Sequence, residues 1–332
     1  MRFPQNANLS FLRTRAGFWG QVFAVVAVFY ALLWVAKPAV SAPNTAHTAC
    51  SLAKLQAKIA HIAQATHGPV GAAVLLVEGG RGVTLHGEQH FPMQSVYKLP
   101  IGMAILHQVD LGTLRLNQPV QIRPNDLAPS SRYSPIRDKY PRGAQMTVSA
   151  LLDATVRVSD GTASDVLMTL AGGPEQVTAY VRGLGISGMR VATTEKAMAQ
   201  NEQVQYQNWA TPEAMAALLR ALQQGRGISP SNRHLLLGLM LGSTTGPHQI
   251  KGLLPPGTVV AHKTGGSGTV HGLTRATNDA GLVTLPDGRH LALVVFVSDT
   301  KADTATRDAV IAKIARAAWD CRAALEGGKQ RR

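Results

Sequence analysis

Hydrophobic residues follow a strand pattern near both ends of the chain. The apolar run Gly71–Val77, bounded by Gly79-Gly80, predicts a buried strand, and Gly82–Leu85 is its expected hairpin partner. Short apolar segments return in the last third of the chain, and the strands predicted there are Thr258–Lys263, Gly272–Thr277, Gly281–Leu285 and His290–Val297.

The middle of the chain has the spacing of amphipathic helices, with Gly and Pro residues between the segments. The predicted helices are Lys98–Leu111, Thr147–Val158, Thr162–Ala171, Pro174–Leu184 and Pro212–Gln223, and two further helix-like segments are Ala49–Thr66 and Asp303–Leu325. This order of elements fits a sheet formed from both ends of the chain with a helical lobe inserted between them.

Residues 1–42 form a segment of their own. They have a basic start without any acid, an apolar stretch over Phe23–Ala36, and small residues at Val40-Ser41-Ala42. This pattern predicts a secretory signal peptide, and hence an exported, periplasmic protein without a membrane anchor after cleavage. A retained anchor is the alternative, because Gly17–Ala36 is nearly long enough to span a bilayer.

The 332-residue chain carries a formal charge of +14, which raises the question of a nucleic-acid partner. We reject that partner, because the basic residues are scattered and no basic run is interleaved with aromatic residues. A positive field also attracts small anionic substrates. The 11 His residues show neither H-x-H nor H-E-x-x-H spacing, and no dinucleotide or Walker A fingerprint is present, so we expect no metal and no organic cofactor.

Three short motifs carry the candidate chemistry, namely Ser95-Val96-Tyr97-Lys98, Ser159-Asp160-Gly161 and Lys263-Thr264-Gly265. A serine hydroxyl needs a base before it can act as a nucleophile, and a lysine can be that base when its pKa is lowered. Taken alone, each motif also fits a structural role as a helix cap with a surface lysine, an Asp-Gly turn or a strand-end turn.

Together and in this order, the motifs resemble the S-x-x-K, S-D-N and K-T-G set of class A β-lactamases and penicillin-binding proteins. The segment from Glu195 to Pro212 aligns without a gap with the Ω-loop of class A, and Thr211-Pro212-x-x-Met215 resembles the helix that follows that loop. The runs Gln203–Trp209 and Ala276–Asp279 resemble the PER- and VEB-type branch of class A.

The resemblance implies the β-lactamase/transpeptidase fold, an α/β (α+β) sandwich with a mostly antiparallel sheet flanked by helices and an inserted all-helical lobe. We place the enzyme domain at 43–332, with an α/β lobe of about 49–94 and 230–325 and a helical lobe of about 95–229. In the family, the first and last helices pack side by side. For this reason we expect a Cys50–Cys321 disulfide, with two unpaired small apolar residues as the alternative.

The resemblance also assigns catalytic roles. Ser95 is expected to attack the β-lactam carbonyl, while Lys98, or Glu195 through a water, removes the proton of its hydroxyl. Ser159 is expected to pass a proton to the leaving nitrogen. Glu195 is then expected to activate the water that hydrolyses the acyl-enzyme, unless it is a surface residue of a polar loop. The expected substrates are penicillins, cephalosporins and bulky oxyimino-cephalosporins.

Substrate binding is expected along one strand edge. Lys263 and Thr264 are expected to bind the substrate carboxylate, and Gly265 to let the ligand approach the backbone. The N–H groups of Ser95 and Gly266 are expected to form the oxyanion hole. Ser267 is compatible with a widened cleft.

Several positions beside these motifs depart from the family pattern. Gly161 replaces an Asn that contacts the ligand, which puts ligand positioning in doubt. Tyr133 matches an aromatic wall at the cleft mouth, or is an ordinary turn tyrosine. His271 and Arg275 are alternative candidates for assisting carboxylate binding.

The Ω-loop departs from the pattern as well. Thr193 and Asn208 occupy the positions of a frequent Arg–Asp ion pair, and Ala199 the position of an Asn, so we expect a different loop geometry with Gln200 or Asn201 in compensation. Two other functions use the same motifs. A D-Ala-D-Ala carboxypeptidase does not need Glu195, and a β-lactam sensor requires a retained anchor. We expect a monomer.

Overall fold

The computed structural model describes residues 50–326, and the predicted signal peptide lies outside this range. Within it, none of the helices has both the length and the hydropathy required to cross a bilayer.

The main sheet is antiparallel throughout, with the strand order β2-β1-β11-β10-β8 and a short β9 paired with β10. Two smaller sheets contain the order β3-β7-β6 and the pair β4-β5. The strands are β1 Val70–Leu76, β2 Gly82–Leu85, β3 Phe91–Pro92, β4 Pro119–Ile122, β5 Ala144–Thr147, β6 Met189–Arg190, β7 Trp209–Ala210, β8 Val260–Gly266, β9 Thr269–Val270, β10 Leu273–Thr284 and β11 His290–Thr300.

Helices cover both faces of the main sheet. They are α1 Leu52–Ala63, α2 Lys98–Asp110, α3 Pro135–Lys139, α4 Val148–Asp153, α5 Gly161–Leu170, α6 Pro174–Gly183, α7 Glu195–Met198, α8 Pro212–Gln223, α9 Pro230–Leu241, α10 Thr304–Asp320 and α11 Arg322–Leu325. Alternate side chains of β11 enter two different cores, as the two-residue period of a strand requires. One core contains α1 and α10, and the other contains α8 and the buried helix α2.

The α/β sandwich expected from the resemblance is confirmed, as are most of the predicted elements. Helix α8 and strand β2 have the predicted bounds. The predicted break between Gly272–Thr277 and Gly281–Leu285 is wrong, because β10 runs without interruption. Helix α9 was not predicted. It begins at a Ser-Pro pair, with Ser229 as N-cap, and packs against both α2 and β8.

The three-stranded sheet determines where Glu195 lies. Strands β6 and β7 pair with each other, and β7 also pairs with β3, which leads directly into the Ser95 motif. Residues 191–208, here called the Glu195 loop, leave this sheet at β6 and return to it at β7. Both ends of the loop are therefore fixed beside the segment that carries Ser95.

The expected disulfide between Cys50 and Cys321 is confirmed, with a Cα–Cα distance of 5.4 Å. Cys50 stands just before α1 and Cys321 ends α10, and apolar side chains of these two helices share one core. The bond closes a loop with a sequence separation of 271 residues, so it restricts the unfolded chain over most of its length.

Removal of this disulfide should destabilise the protein strongly. We expect Cys50→Ser with Cys321→Ser to lower the free energy of unfolding by about 2–5 kcal/mol, because the unfolded chain gains entropy. Urea unfolding of the wild type and the double variant measures the difference. A reductant should lower the stability of the wild type only. Equal stability of the two proteins under oxidising conditions would contradict the prediction.

Candidate active site

A cavity of about 350 Å³ lies where the three sequence motifs meet. Its walls are formed by Ser95, Lys98, Ser131, Arg132, Tyr133, Ser159, Glu195, Thr245, Thr264, Gly266, Ser267 and Gly268. Segments that are more than 150 residues apart along the chain are thus brought to one cavity.

Ser95 lies in a 3₁₀ turn over Gln94–Tyr97 that runs directly into α2. This places the hydroxyl at the N-terminal end of a long helix, whose dipole favours developing negative charge. The preceding residue, Gln94, has a φ of 45°, in the left-handed region that non-glycine residues rarely adopt. The turn is therefore held by its surroundings rather than by local preference.

Lys98 is buried, with 1% of its surface exposed. Its Nζ donates a hydrogen bond to the main-chain oxygen of Ser159 (2.7 Å) and lies 2.9 Å from Oε1 of Glu195. These two contacts compensate for the desolvation of the ammonium group. They also join the first motif to the second motif and to the Glu195 loop.

Ser159 occupies a left-handed conformation, with a φ of 69°, at the end of the π-helical turn Ala154–Val158. Its Oγ accepts a hydrogen bond from Nζ of Lys263 (2.9 Å). Because Oγ is the acceptor in this contact, the proton of the Ser159 hydroxyl remains available for donation. Ser159 therefore links the two lysines.

Asp160 is the structural anchor of the second motif. Its fully buried carboxylate caps α5 by accepting the N–H of Ala163 (2.8 Å), and it also accepts the N–H of Ile136 (2.8 Å) and the hydroxyl proton of Ser134. The carboxylate thus ties the segment before α3 to the start of α5, and fixes Ser159 between them.

Glu195 begins the short helix α7, where Thr194 is the N-cap. Its main-chain N–H donates to Oδ1 of Asp165 (2.8 Å), and the N–H of Lys196 donates to Oδ2 of the same carboxylate (3.0 Å). Asp165 projects from α5. A buried carboxylate on the helical lobe therefore anchors the backbone on which Glu195 stands.

The Glu195 carboxylate is 2% exposed and lies between two cations, Lys98 and Arg132. Burial alone raises the pKa of a carboxyl group, but the charges of Lys98 and then Arg132 outweigh burial and lower the pKa of Glu195 to about 2. Glu195 is consequently ionised in all but strongly acidic solution.

Lys263 is fully buried on β8. Burial first, and then the neighbouring charge of Lys98, lower its pKa to about 7, although Asp279 and Glu195 oppose the shift. The adjacent Thr264 shares a hydrogen bond with Thr245 (2.6 Å between their Oγ1 atoms). Thr264 thus presents a hydroxyl at the cavity wall, and the buried Lys263 lies directly behind it on the same strand edge.

This pKa predicts a pH-dependent affinity. Lys263 loses its proton as the pH rises through about 7. For the anionic β-lactams that the family resemblance implies as substrates, KM should therefore increase by up to about tenfold per pH unit above that value. Steady-state kinetics of the wild type and Lys263→Arg would measure this, because an arginine stays charged throughout. A methyl ester of the same β-lactam is the control. A wild-type KM that stays constant from neutral to alkaline pH contradicts the prediction.

Gly265 allows the Ser95 turn to approach β8 closely. A Cβ atom at this position would lie 2.4 Å from the main-chain oxygen of Met93 and 3.0 Å from the nitrogen of Ser95. Gly266 and Ser267 do face the cavity, and the Ser267 hydroxyl accepts the N–H of Ala276 (3.0 Å).

Tyr133 lies on the wall of the cavity, and Gly161 is buried beside its main chain. The N–H of Gly161 donates to the main-chain oxygen of Tyr133 (2.9 Å), and the Tyr133 side chain is 63% exposed. A Cβ atom at position 161 would lie 3.1 Å from that oxygen and 3.4 Å from Cγ of Glu195. Glycine therefore lets this loop and Glu195 pack closely, and leaves no side chain there to contact a ligand.

The Glu195 loop is closed without an ion pair. The side chain of Asn208 accepts the N–H groups of Ala192 (2.7 Å) and Thr193 (2.9 Å) and donates to the main-chain oxygen of Thr193 (3.0 Å). Three hydrogen bonds from one amide thus join the two ends of the loop. Asn201 accepts the N–H of Gln203 (2.8 Å) and so stabilises its own turn.

Neither His271 nor Arg275 borders the Ser95 cavity. His271 is an exposed residue with a φ of 50° in the turn between β9 and β10. Arg275 pairs with Glu202 instead, through two hydrogen bonds of 2.6 and 2.9 Å to Oε2. This pair connects β10 to the Glu195 loop.

The sequence analysis missed Asp165 and four residues of the cavity wall, namely Ser131, Arg132, Thr245 and Gly268. Asp165 had a recognisable signal, because it is the one charged residue of the helix α5, and a buried carboxylate requires a partner. Burial raises its pKa to about 6, although two N–H donors oppose the shift. Arg132 and Thr245 lie in loops, and nothing in the local pattern distinguishes them.

Across the described range 50–326, no group of three or more His, Cys, Asp and Glu side chains is arranged to hold a metal ion.

Comparison with known proteins gives a consistent result. Residues 54–321 match the profile described as the Beta-lactamase enzyme family. The extended-spectrum β-lactamase PER-1 of Pseudomonas aeruginosa is 41% identical over 75% of this chain and 81% of that protein. The β-lactamase VEB-1 of the same organism is 35% identical over 80% of this chain and 89% of that protein. The crystal structure of a β-lactamase from Chitinophaga pinensis is similar with a TM-score of 0.79 and 47% identity, over 81% of this chain and 99% of that chain.

Proposed function

The chain belongs to the β-lactamase enzyme family as a class A member of the PER and VEB type, and on this premise we propose how its own residues open and release a β-lactam. It is an enzyme that hydrolyses the cyclic amide of β-lactam antibiotics, the reaction by which this family confers resistance. The roles of individual residues below are our proposal.

In the first step, Ser95 Oγ attacks the β-lactam carbonyl carbon. The proton of its hydroxyl passes into the buried Lys98–Glu195 pair, whose Nζ and Oε1 atoms are 2.9 Å apart. The N–H groups of Ser95 and Gly266 stabilise the oxyanion. Ser159 then donates its hydroxyl proton to the leaving nitrogen as the C–N bond breaks, and regains a proton from Lys98.

In the second step, Glu195 takes a proton from a water molecule that attacks the acyl carbon bound to Ser95. The ester bond breaks, Ser95 recovers its proton, and the ring-opened acid leaves. The charges of Lys98 and Arg132 outweigh burial and keep Glu195 in the ionised form that this step requires. A carboxypeptidase or penicillin-binding protein performs the first step without such a base.

The proposed substrate class is based on the edge of strand β8, where Lys263 and Thr264 lie, and on the space beside the Ser95 cavity. Lys263 and Thr264 suit the carboxylate of penicillins and cephalosporins. A second cavity of about 270 Å³ shares Ser267 and Gly268 with the Ser95 cavity and extends toward the Glu195 loop. This adjoining space supports oxyimino-cephalosporins, with their bulky side chains, as substrates of the enzyme. We also propose that the mature enzyme is a periplasmic monomer.

The observation that carries the proposal is the buried Glu195 carboxylate beside Lys98 in the cavity of Ser95. A time course of intact mass with a cephalosporin tests it. An adduct on Ser95 that forms and then decays to free enzyme is the expected result. A persistent adduct would contradict the role of Glu195 and favour a penicillin-binding protein, whereas intact drug without an adduct would contradict acyl transfer altogether.

A further inference from the structure

The two oxygens of the Glu195 carboxylate have different surroundings. Oε2 accepts a hydrogen bond from Nε of Arg132 (2.6 Å) and also contacts an Nη nitrogen of the same guanidinium. Oε1 lies 2.9 Å from Nζ of Lys98, yet it makes no hydrogen bond of acceptable geometry with any group of the described residues. Oε1 therefore forms an ion pair with Lys98 rather than a well-aligned hydrogen bond, and it keeps lone pairs that can accept the proton of a water molecule.

Arg132 is held in place from several sides. Its guanidinium also donates to Oε1 of Gln94 (3.2 Å), the residue before the nucleophile, and only 16% of its side chain is exposed. Its main-chain oxygen accepts a hydrogen bond from Nη1 of Arg137 (2.7 Å), and its N–H donates to Pro129 (2.9 Å). A planar guanidinium fixed in this way sets the direction of the carboxylate that it binds.

Other charged and titratable groups face Glu195 as well. They are Tyr97 and Lys98 at the start of α2, Asp165 on α5 and Lys263 on β8. Burial raises the pKa of Tyr97 well above its usual value, so Tyr97 stays neutral. Asp165 contacts the main-chain N–H of Glu195 and not its carboxylate. Among the described residues, Arg132 alone binds Oε2.

We propose that Arg132 is a positioning residue for Glu195, which holds Oε2 so that Oε1 is the atom that accepts the proton of the hydrolytic water. This inference rests on the general-base role of Glu195 proposed above. Because the guanidinium remains charged at every working pH, it also keeps the carboxylate ionised in acid solution. Arg132 thus acts on deacylation through Glu195, the residue whose carboxylate it binds.

Arg132→Gln tests the inference through the pH dependence of deacylation. The acyl-enzyme is formed with a cephalosporin, and the decay of the Ser95 adduct is followed by intact mass from acid to neutral pH. Without the positive charge, the pKa of Glu195 rises, so the acid limb of the decay rate should move up by about one pH unit or more. The adduct should therefore accumulate at an acid pH at which the wild-type adduct still decays. An acid limb identical to that of the wild type would overturn the inference.

Matched variants separate positioning from loss of charge and from loss of loop structure. Lys139→Gln removes the same charge from an exposed residue nearby and should leave the acid limb of the pH profile of adduct decay unchanged. Arg137→Gln releases the main-chain oxygen of Arg132. This variant should lower the melting temperature and shift the acid limb only slightly. Arg132→Lys retains the charge, so its limb should stay closer to that of the wild type than the limb of Arg132→Gln. The reverse order would also overturn the inference.

A double variant distinguishes this inference from the proposed function itself. If Arg132 acts through Glu195, Arg132→Gln should change deacylation by less than about twofold when Glu195 is already Gln. An effect of equal size in both backgrounds would show that Arg132 acts elsewhere. Formation of the Ser95 adduct in the wild type is independent of this comparison, so a failure of acyl transfer is recognised separately.

Discussion

Ser95→Ala should reduce β-lactam hydrolysis by about 10⁴-fold or more, because the acyl-enzyme can no longer form. The substitution removes one oxygen atom at the end of a turn that is held by its contacts with β8, so the cavity should keep its shape. Lys263 and Thr264 remain in place, and the variant should still bind intact cephalosporin. Loss of turnover with binding retained is therefore the specific expectation.

Two measurements check this result. Spectrophotometric assay gives the loss of kcat/KM, and the rise of the melting temperature with intact cephalosporin reports binding without turnover. Ser131→Ala is the matched control, because Ser131 is an exposed serine on the wall of the same cavity and should leave the rate within about threefold. Turnover above about one per cent of the wild-type rate in Ser95→Ala would exclude Ser95 as the nucleophile.

Glu195→Gln should leave an enzyme that is acylated by one β-lactam and then fails to release it. The amide has nearly the same size as the carboxylate but cannot accept the proton of water, so deacylation should slow by about 10²–10⁴-fold. Acylation should fall less if Lys98 can serve as the base in that step. Acylation should therefore be much faster than deacylation, so that nearly all of the enzyme carries the adduct on Ser95.

Intact mass after mixing with a cephalosporin measures both steps in one experiment. Glu202→Gln is the matched control, since Glu202 lies in the same Glu195 loop but pairs with Arg275 away from the Ser95 cavity. The control should show no accumulated adduct in the steady state. An adduct of Glu195→Gln that decays as rapidly as that of the wild type would remove Glu195 from the mechanism and leave the carboxypeptidase interpretation of the motifs.

Local sequence patterns were sufficient for the elements that have a clear period and clear ends. Helix α8 begins at Thr211-Pro212, an N-cap followed by proline, and its apolar face defines its length. The sequence pattern predicts two strands where the structure has the single strand β10, and the gap between them contains the polar residues Asn278 and Asp279. In the fold, Asn278 donates to the main-chain oxygen of Pro92 (2.7 Å), and Asp279 pairs with His262 (2.9 Å). Partners distant in sequence therefore satisfy the polar groups that made this strand resemble a turn.

The sequence by itself determined the order of the motifs around Ser95, because this depends on residue types and their spacing along the chain. Through the family resemblance that these motifs carry, it also implied the family, the α/β sandwich and the Cys50–Cys321 pair, and the structure confirms that pair. The tertiary structure alone decided that Asp165 holds the backbone of Glu195, that Asn208 closes the loop, and that Arg132 binds one oxygen of the carboxylate. The physical reason is that such contacts join loops and helices through side-chain direction and burial, and neither of these has a period along the chain.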